Sequence, residues 1–104
     1  MPKAISKSTT HTRRAKADDA LLDMIRQHRE LYDEYDRIED RDAPRTDELL
    51  AKGILLEFEI TITPAHTPRG LADKRRVMRL AALEDNQGFF DWVLARDAER
   101  VAAG

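Results

Sequence analysis

The clearest pattern in the sequence is an alternation of apolar and charged positions in its first half. Six positions with apolar or ring side chains recur at alternating spacings of three and four residues: Leu21, Met24, His28, Leu31, Tyr35 and Ile38. This is the seam spacing of a coiled coil, and it predicts a long amphipathic helix. We expect the helix to begin between Thr12 and Asp19, with Thr12 or Asp18 as its N-cap. It should run to about Arg41, because a residue that precedes proline, here Ala43, disfavours helical backbone.

The segment 49–63 fits two secondary structures. An alternation of apolar and polar side chains, with several β-branched residues, is typical of a strand. The alternating residues are Leu56, Glu57, Phe58, Glu59, Ile60, Thr61, Ile62 and Thr63. A helix would instead gather one apolar face, made of Leu50, Ala51, Ile54, Leu55, Phe58 and Ile62. Thr46 fits an N-cap and no second strand is evident for pairing, so we favour the helix and keep the strand as the alternative.

The second half of the chain carries clear helix signals. Pro64 closes the preceding element, and Thr67 followed by Pro68 is a typical helix start, because proline at the first helical position gives up no hydrogen bond. We expect a basic helix over 68–84, a break at residues 86–88, and a last helix over about 89–102.

These elements predict an all-α fold in one domain. A long amphipathic helix is followed by a helical pair and a short C-terminal helix, as a helical bundle or hairpin over residues 13–104. Residues 1–12 lack an apolar period and are rich in Ser, Thr and Lys, so we expect a disordered basic arm there.

Two stretches resemble a known group of sequences. The segment 63–74, TPAHTPRGLADK, matches a T-P-A-x-T-x-x-G-L-A-x-K signature, and the segment 91–97, DWVLARD, matches a terminal Asp-Trp…Ala-Arg-Asp helix. Both resemble the C-terminal part of small uncharacterised proteins from bacterial genomes and prophages, over about half of the chain. Pro68 departs from the usual residue of the signature. The resemblance implies helices on both sides of the turn at 64–67, and it implies no activity.

Composition excludes several classes of protein. The chain has no cysteine, which excludes disulfides and a cysteine nucleophile. No apolar run reaches the roughly 18 residues of a membrane helix, so we expect no membrane partner. The basic start lacks the apolar stretch of a secretory signal, and we therefore expect a cytoplasmic protein.

Candidate catalytic and metal-binding groups are scattered. His11, His28 and His66 share no helix face or turn, so we predict neither a metal site nor a cofactor. Acid pairs such as Asp36 and Asp40 are expected to form a solvated face. The sequence contains no nucleophile motif and no glycine-rich phosphate loop, so we expect no enzyme and no small-molecule substrate.

Two functional hypotheses remain. A helix of about 25 residues is longer than its expected neighbours, so a partner chain could cover part of its seam. The first hypothesis is therefore a homo-oligomer, or a module that binds another protein, through the six seam residues from Leu21 to Ile38. His28 would set helix register there.

The second hypothesis is a small regulator that binds nucleic acid. The net charge is only −2, yet two basic segments stand out. The arm and the predicted basic helix supply the candidate phosphate contacts. They are Lys3, Lys7, Arg13, Arg14 and Lys16 in the arm, and Arg69, Lys74, Arg75, Arg76 and Arg79 in the helix. The acidic segment 17–48, with a net charge of −7, argues against this hypothesis.

Overall fold

The computed structural model describes residues 16–80 and 87–104. Within these ranges the chain forms helices and no strand, which confirms the all-α prediction. The helices are α1 (Asp19–Arg37), α2 (Pro44–Ile62), α3 (Pro68–Leu80) and α4 (Gln87–Ala103). The predicted arm 1–12, with Arg13 and Arg14, lies outside the described residues, as does the predicted end of the basic helix after Leu80.

The first two helices form an antiparallel hairpin, and the other two pack across it. Arg45, at the start of α2, donates a hydrogen bond of 3.0 Å to Glu34 near the end of α1. Helix α1 packs most extensively on α2 and also on α3, while α4 packs mainly on α3. The core lies where these helices meet. Its buried members are Leu21, Ile25, Ile60, Ala65, Leu71 and Val77, with Met24, Leu56, Leu94, Ala98 and Val101 packed around them.

The ambiguous segment is helical through Ile62. Its buried side comprises Leu49, Gly53 and Ile60, which face the core at helical spacing. The Thr61 hydroxyl donates to the carbonyl oxygen of Glu57 at 2.7 Å, a bond that lets a β-branched residue fit inside a helix. The strand alternative is therefore wrong.

Two predicted helix boundaries near residue 40 are corrected. Helix α1 ends at Arg37 and not at Arg41, whose guanidinium instead donates to the carbonyl oxygen of Tyr35 at 2.9 Å. Helix α2 begins at Pro44, so Ala43 and not Thr46 holds the N-cap position. Proline suits the first helical position because its missing N–H would have no partner there.

The other boundaries are closer to the prediction. Thr67 caps α3 as expected, since its hydroxyl oxygen accepts a hydrogen bond of 3.0 Å from the backbone N–H of Gly70. Helix α4 begins at Gln87, so residues 87 and 88 belong to the helix and not to a break. No helix of the described chain is long and apolar enough to cross a membrane.

Candidate protein interface

The predicted seam of α1 packs largely against other helices of the same chain. Leu21 is fully buried and His28 is 2% exposed, so neither can contact a partner of the folded chain, and their assignment to an interface is corrected. Met24 packs against the core. Leu31, Tyr35 and Ile38 are half-buried, and Ile38 lies just beyond the helix. Helices α1 and α2 have equal lengths of 19 residues, contrary to the expected mismatch, and α1 packs on both α2 and α3.

His28 belongs to a polar link between the first two helices. Its Nε2 lies 3.0 Å from Oε1 of Glu57, and the same oxygen accepts a hydrogen bond of 2.9 Å from the Tyr32 hydroxyl. Burial, followed by the hydrogen bond to Glu57, raises the pKa of Tyr32 to about 12. No local pattern signals this link, because Glu57 is 29 residues from His28.

A second polar group, centred on Asp18, fixes the loop before α3. The Asp18 side chain is 1% exposed, and its two carboxylate oxygens accept backbone N–H groups of His66 and Thr67, both at 2.9 Å. The Thr67 hydroxyl donates to the same carboxylate. Asp18 does precede α1, but its side chain caps no N–H of that helix. It holds the loop 63–67 against α1 instead.

Lys74 and Asp97 form a buried ion pair beside the same loop. The Lys74 ammonium lies 2.7 Å from Oδ2 of Asp97 and donates to the carbonyl oxygen of Thr63, also at 2.7 Å. Asp97 accepts the backbone N–H of Ala65 at 3.1 Å and one N–H of Arg100 at 2.7 Å. Burial lowers the pKa of Lys74, against the opposing pull of Asp97.

This arrangement corrects one predicted nucleic-acid contact. Lys74 is fully buried, so it cannot reach a phosphate. The segment 63–74, on which the resemblance to bacterial and prophage proteins rests, supplies much of the polar group around the loop, and Asp97 ends the second matching segment. Those residues therefore act here in holding the fold together.

The other predicted phosphate contacts on α3 are exposed. Arg69 and Arg76 have side chains 79% and 62% exposed, and each lies near Asp73 of the same helix, at 3.8 Å and 3.6 Å. Arg75 and Arg79 are also exposed, and neither pairs with a carboxylate among residues 16–80 and 87–104. The basic face of α3 thus consists of these four arginines without Lys74.

Helix α2 carries a row of exposed apolar side chains, which we call the α2 strip. The exposed fractions rise along it from 42% to 73%, in the order Leu50, Ile54, Leu55, Phe58 and Ile62, with Leu55 at 62% and Phe58 at 63%. The helical face predicted from the sequence contains these five residues. The core side is the opposite one, with Leu49, Gly53 and Ile60.

The α2 strip continues onto α4. Ile62 lines one open groove together with Phe89 and Trp92, whose rings stack at a centroid distance of 6.4 Å. Phe89 is 51% exposed and Trp92 is 59% exposed. Arg96 lies over the Trp92 ring, 5.6 Å from its centroid. The described surface therefore carries an apolar band that spans two helices.

Known protein families, curated proteins and solved structures gave no match to this chain. Among the described residues, no group of three His, Asp or Glu side chains is arranged to hold a metal ion.

Proposed function

We propose that the chain is a protein-interaction or self-association module whose binding surface is the α2 strip, extended by Phe89 and Trp92. The observation that carries the proposal is the exposure of Leu55, Phe58 and Ile62, each more than 60% exposed in the folded chain. Large apolar side chains gathered in one exposed band mark binding sites. The exposure of apolar surface to water is unfavourable, and a bound partner removes that surface from water.

The size of the band supports the proposal. An apolar side chain of this kind offers roughly 150 Å² when fully exposed. The α2 strip then exposes on the order of 400 Å², and the two aromatic rings of α4 bring the total to about 600 Å². A standard interface buries about 800 Å² on each partner, of which about 60% is apolar. The band is therefore large enough for the apolar part of such an interface.

Site-specific photo-crosslinking in the native cell tests this function. A photoreactive phenylalanine analogue in place of Phe58 should form covalent products with protein, because the strip would be covered when the partner is bound. The same analogue in place of Arg29, an exposed residue of α1 outside the α2 strip, is the matched control. Products at both positions, or at neither, while circular dichroism shows a folded helical chain, would contradict the proposal.

A second candidate function is nucleic-acid binding through the basic face of α3. It is favoured by the exposure of Arg75 and Arg79, which have no carboxylate partner among the described residues. Such side chains can displace counterions from phosphates, which makes the affinity fall steeply with salt.

A titration of a random DNA duplex at several salt concentrations tests this candidate. The pair of changes Arg75→Ala and Arg79→Ala should lower the affinity for all sequences alike, because phosphate contacts carry no base information. The slope of log affinity against log salt should also fall by about 1.8, at about 0.9 for each phosphate that an arginine no longer neutralises. Absence of any binding at micromolar protein and low salt would remove this candidate.

We also propose a cytoplasmic location, since the basic start lacks the apolar stretch of a secretory signal. Segments 63–74 and 91–97 support a kinship with small uncharacterised bacterial and prophage proteins. Cell fractionation of the tagged chain would test the location.

A further inference from the structure

The exposed side of α2 has the spacing of a two-helix interface. Ala51, Leu55, Phe58 and Ile62 are all exposed and follow one another at steps of four, three and four residues. This is the spacing with which two helices interlock along a shared seam. The buried side of the same helix, with Leu49 and Ile60, already packs inside the chain. Helix α2 therefore has a second apolar seam with no partner in the described chain.

Charges of opposite sign border this seam on one flank. Lys52 and Glu59 are both exposed and lie seven residues apart, so they share a flank two helical turns apart. Lys52 pairs with Glu48 of its own helix at 2.9 Å. Glu59 makes no side-chain ion pair within the described residues. The flank thus carries a positive group toward one end of the seam and a negative group toward the other.

We infer that the partner on the α2 strip is a second copy of this chain, with its α2 antiparallel to the first; the inference rests on the function proposed above. A two-fold axis near residues 56–57 would place Ala51 against Ile62 of the partner subunit, a small side chain against a large one. The same register sets Leu55 against Phe58 of the partner subunit.

The antiparallel register also pairs the flanking charges. It brings Lys52 of each copy beside the partner's Glu59, which makes two equivalent ion pairs, as a two-fold interface requires. Two parallel helices in register would keep positions 52 and 59 about 10 Å apart along the axis, so these pairs could not form. The charges therefore select a second copy in one orientation, and the apolar band supplies the area.

Light scattering with charge-swap variants tests the inference. Wild-type mass should approach twice the chain mass of 11.9 kDa as concentration rises, and Phe58→Asp should remain a monomer with unchanged circular dichroism. Lys52→Glu should raise the dimer dissociation constant on the order of tenfold, because two attractions become two repulsions. The double variant Lys52→Glu with Glu59→Lys should restore the affinity. Arg29→Glu, at an exposed position of α1, should leave the dissociation constant unchanged.

Disulfide trapping tests the orientation. The chain has no cysteine of its own, so introduced thiols are the only ones present. A mixture of Ala51→Cys and Ile62→Cys chains should form a mixed disulfide, since the two positions face each other across the antiparallel seam. Ala51→Cys alone should not form a linked dimer, because its two copies would lie about 16 Å apart along the axis, beyond disulfide reach.

The outcomes separate this inference from the proposed function. A wild-type monomer at the highest concentration would overturn the inference, while photo-crosslinks from Phe58 to a different protein would leave the proposed function standing. A dimer that persists in Phe58→Asp would overturn the assignment of the α2 strip. A linked Ala51→Cys dimer, or a charge swap that fails to restore affinity, would overturn the antiparallel arrangement.

Discussion

Lys74 shows how a charged side chain of an apparently basic helix can belong to the interior. Its ammonium is held between the Asp97 carboxylate and the Thr63 carbonyl oxygen. Burial of the two charges is costly, so such a pair adds little net stability compared with apolar side chains. Loss of one member is a different matter, because the charge that stays behind has no counterion in an apolar site. The pair joins α3 to α4 and to the loop that precedes α3.

Lys74→Met should destabilise the chain by about 3 kcal/mol, because Asp97 keeps a buried charge with only Arg100 beside it. Urea unfolding followed by circular dichroism measures this loss. Adding Asp97→Asn should recover part of it, since the amide oxygen still accepts the N–H of Ala65 without a charge. Arg75→Met, at the exposed neighbouring position, should stay within about 0.5 kcal/mol of wild type. A loss no larger than that of the control would contradict the assigned role of the pair.

Gly70 is required by the close approach of Asp18. A Cβ atom at this position would lie 2.1 Å from Oδ2 of Asp18, a carboxylate that is held by the backbone of the loop. Gly70→Ala should therefore destabilise the chain by about 1–3 kcal/mol, although alanine favours a helix.

Gly53→Ala is the matched control inside another helix. A Cβ there would meet only Cε2 of Tyr32, at an ordinary contact distance of 3.7 Å. The change should stabilise the chain by about 0.5–1 kcal/mol through helix propensity. Thermal unfolding should show a lower midpoint for Gly70→Ala and a higher midpoint for Gly53→Ala. Equal shifts of the two midpoints would show that the Asp18 side chain moves to accommodate the added methyl group.

At the scale of the element, a local signal predicted the start of α3, whereas contacts between residues far apart in sequence were missed. Thr67 with Pro68 marks the start of α3 because capping depends on residues within one turn. Helix α2 was harder, since it has apolar residues on two sides and the pattern does not say which side packs on α1. The pairing of Lys74 with Asp97 joins residues 23 positions apart, and no spacing rule reaches that far.

The same reasoning explains why the sequence pattern placed the candidate interface on α1. The apolar positions of α1 follow a more regular spacing than those of α2, so the interface was predicted on α1. A clean seam is also what packs best inside a hairpin, and Leu21 and His28 are buried for that reason. The exposed strip was visible as a helical face of α2, yet its exposure follows only from the hairpin geometry.

The polar link between α1 and α2, in which Tyr32 donates to Glu57, should make the stability of the chain depend on pH in alkaline solution. The pKa of Tyr32 lies at about 12 in the folded chain, against an ordinary value of 10.0. A raised pKa means that the folded state holds the phenol proton more tightly, so this contribution is complete below pH 10 and is lost as the pH rises through 12. Stability should therefore decline over that interval.

Tyr32→Phe should flatten this part of the stability curve, whereas Tyr35→Phe should leave it in place. The chain has two tyrosines, so ultraviolet titration of each variant reports the ionisation of the other ring alone. Ionisation of Tyr32 near pH 10 would mean that neither the burial of this ring nor its hydrogen bond to Glu57 holds in solution.

At the scale of the whole molecule, an aspartate substitution should have different effects at an apolar position inside the hairpin and at an exposed one on α2. Leu31 is half-buried and lines the grooves between α1 and α2, so it belongs to the hairpin of a single chain. Phe58 is 63% exposed, so its apolar contacts come mainly from a partner. A melting experiment at several protein concentrations distinguishes these roles, because only association responds to concentration.

The wild-type midpoint should rise by several degrees over about a hundredfold increase in concentration, because dimer formation stabilises the folded state by mass action. Phe58→Asp should remove the rise and keep the midpoint of dilute wild type, since little of this ring is buried within one chain. Leu31→Asp should lower the midpoint by about 10 °C at every concentration, as expected for about 2 kcal/mol lost inside the hairpin. If Leu31→Asp instead removed the rise and left the dilute midpoint unchanged, the interface would lie on α1, as its periodicity predicted.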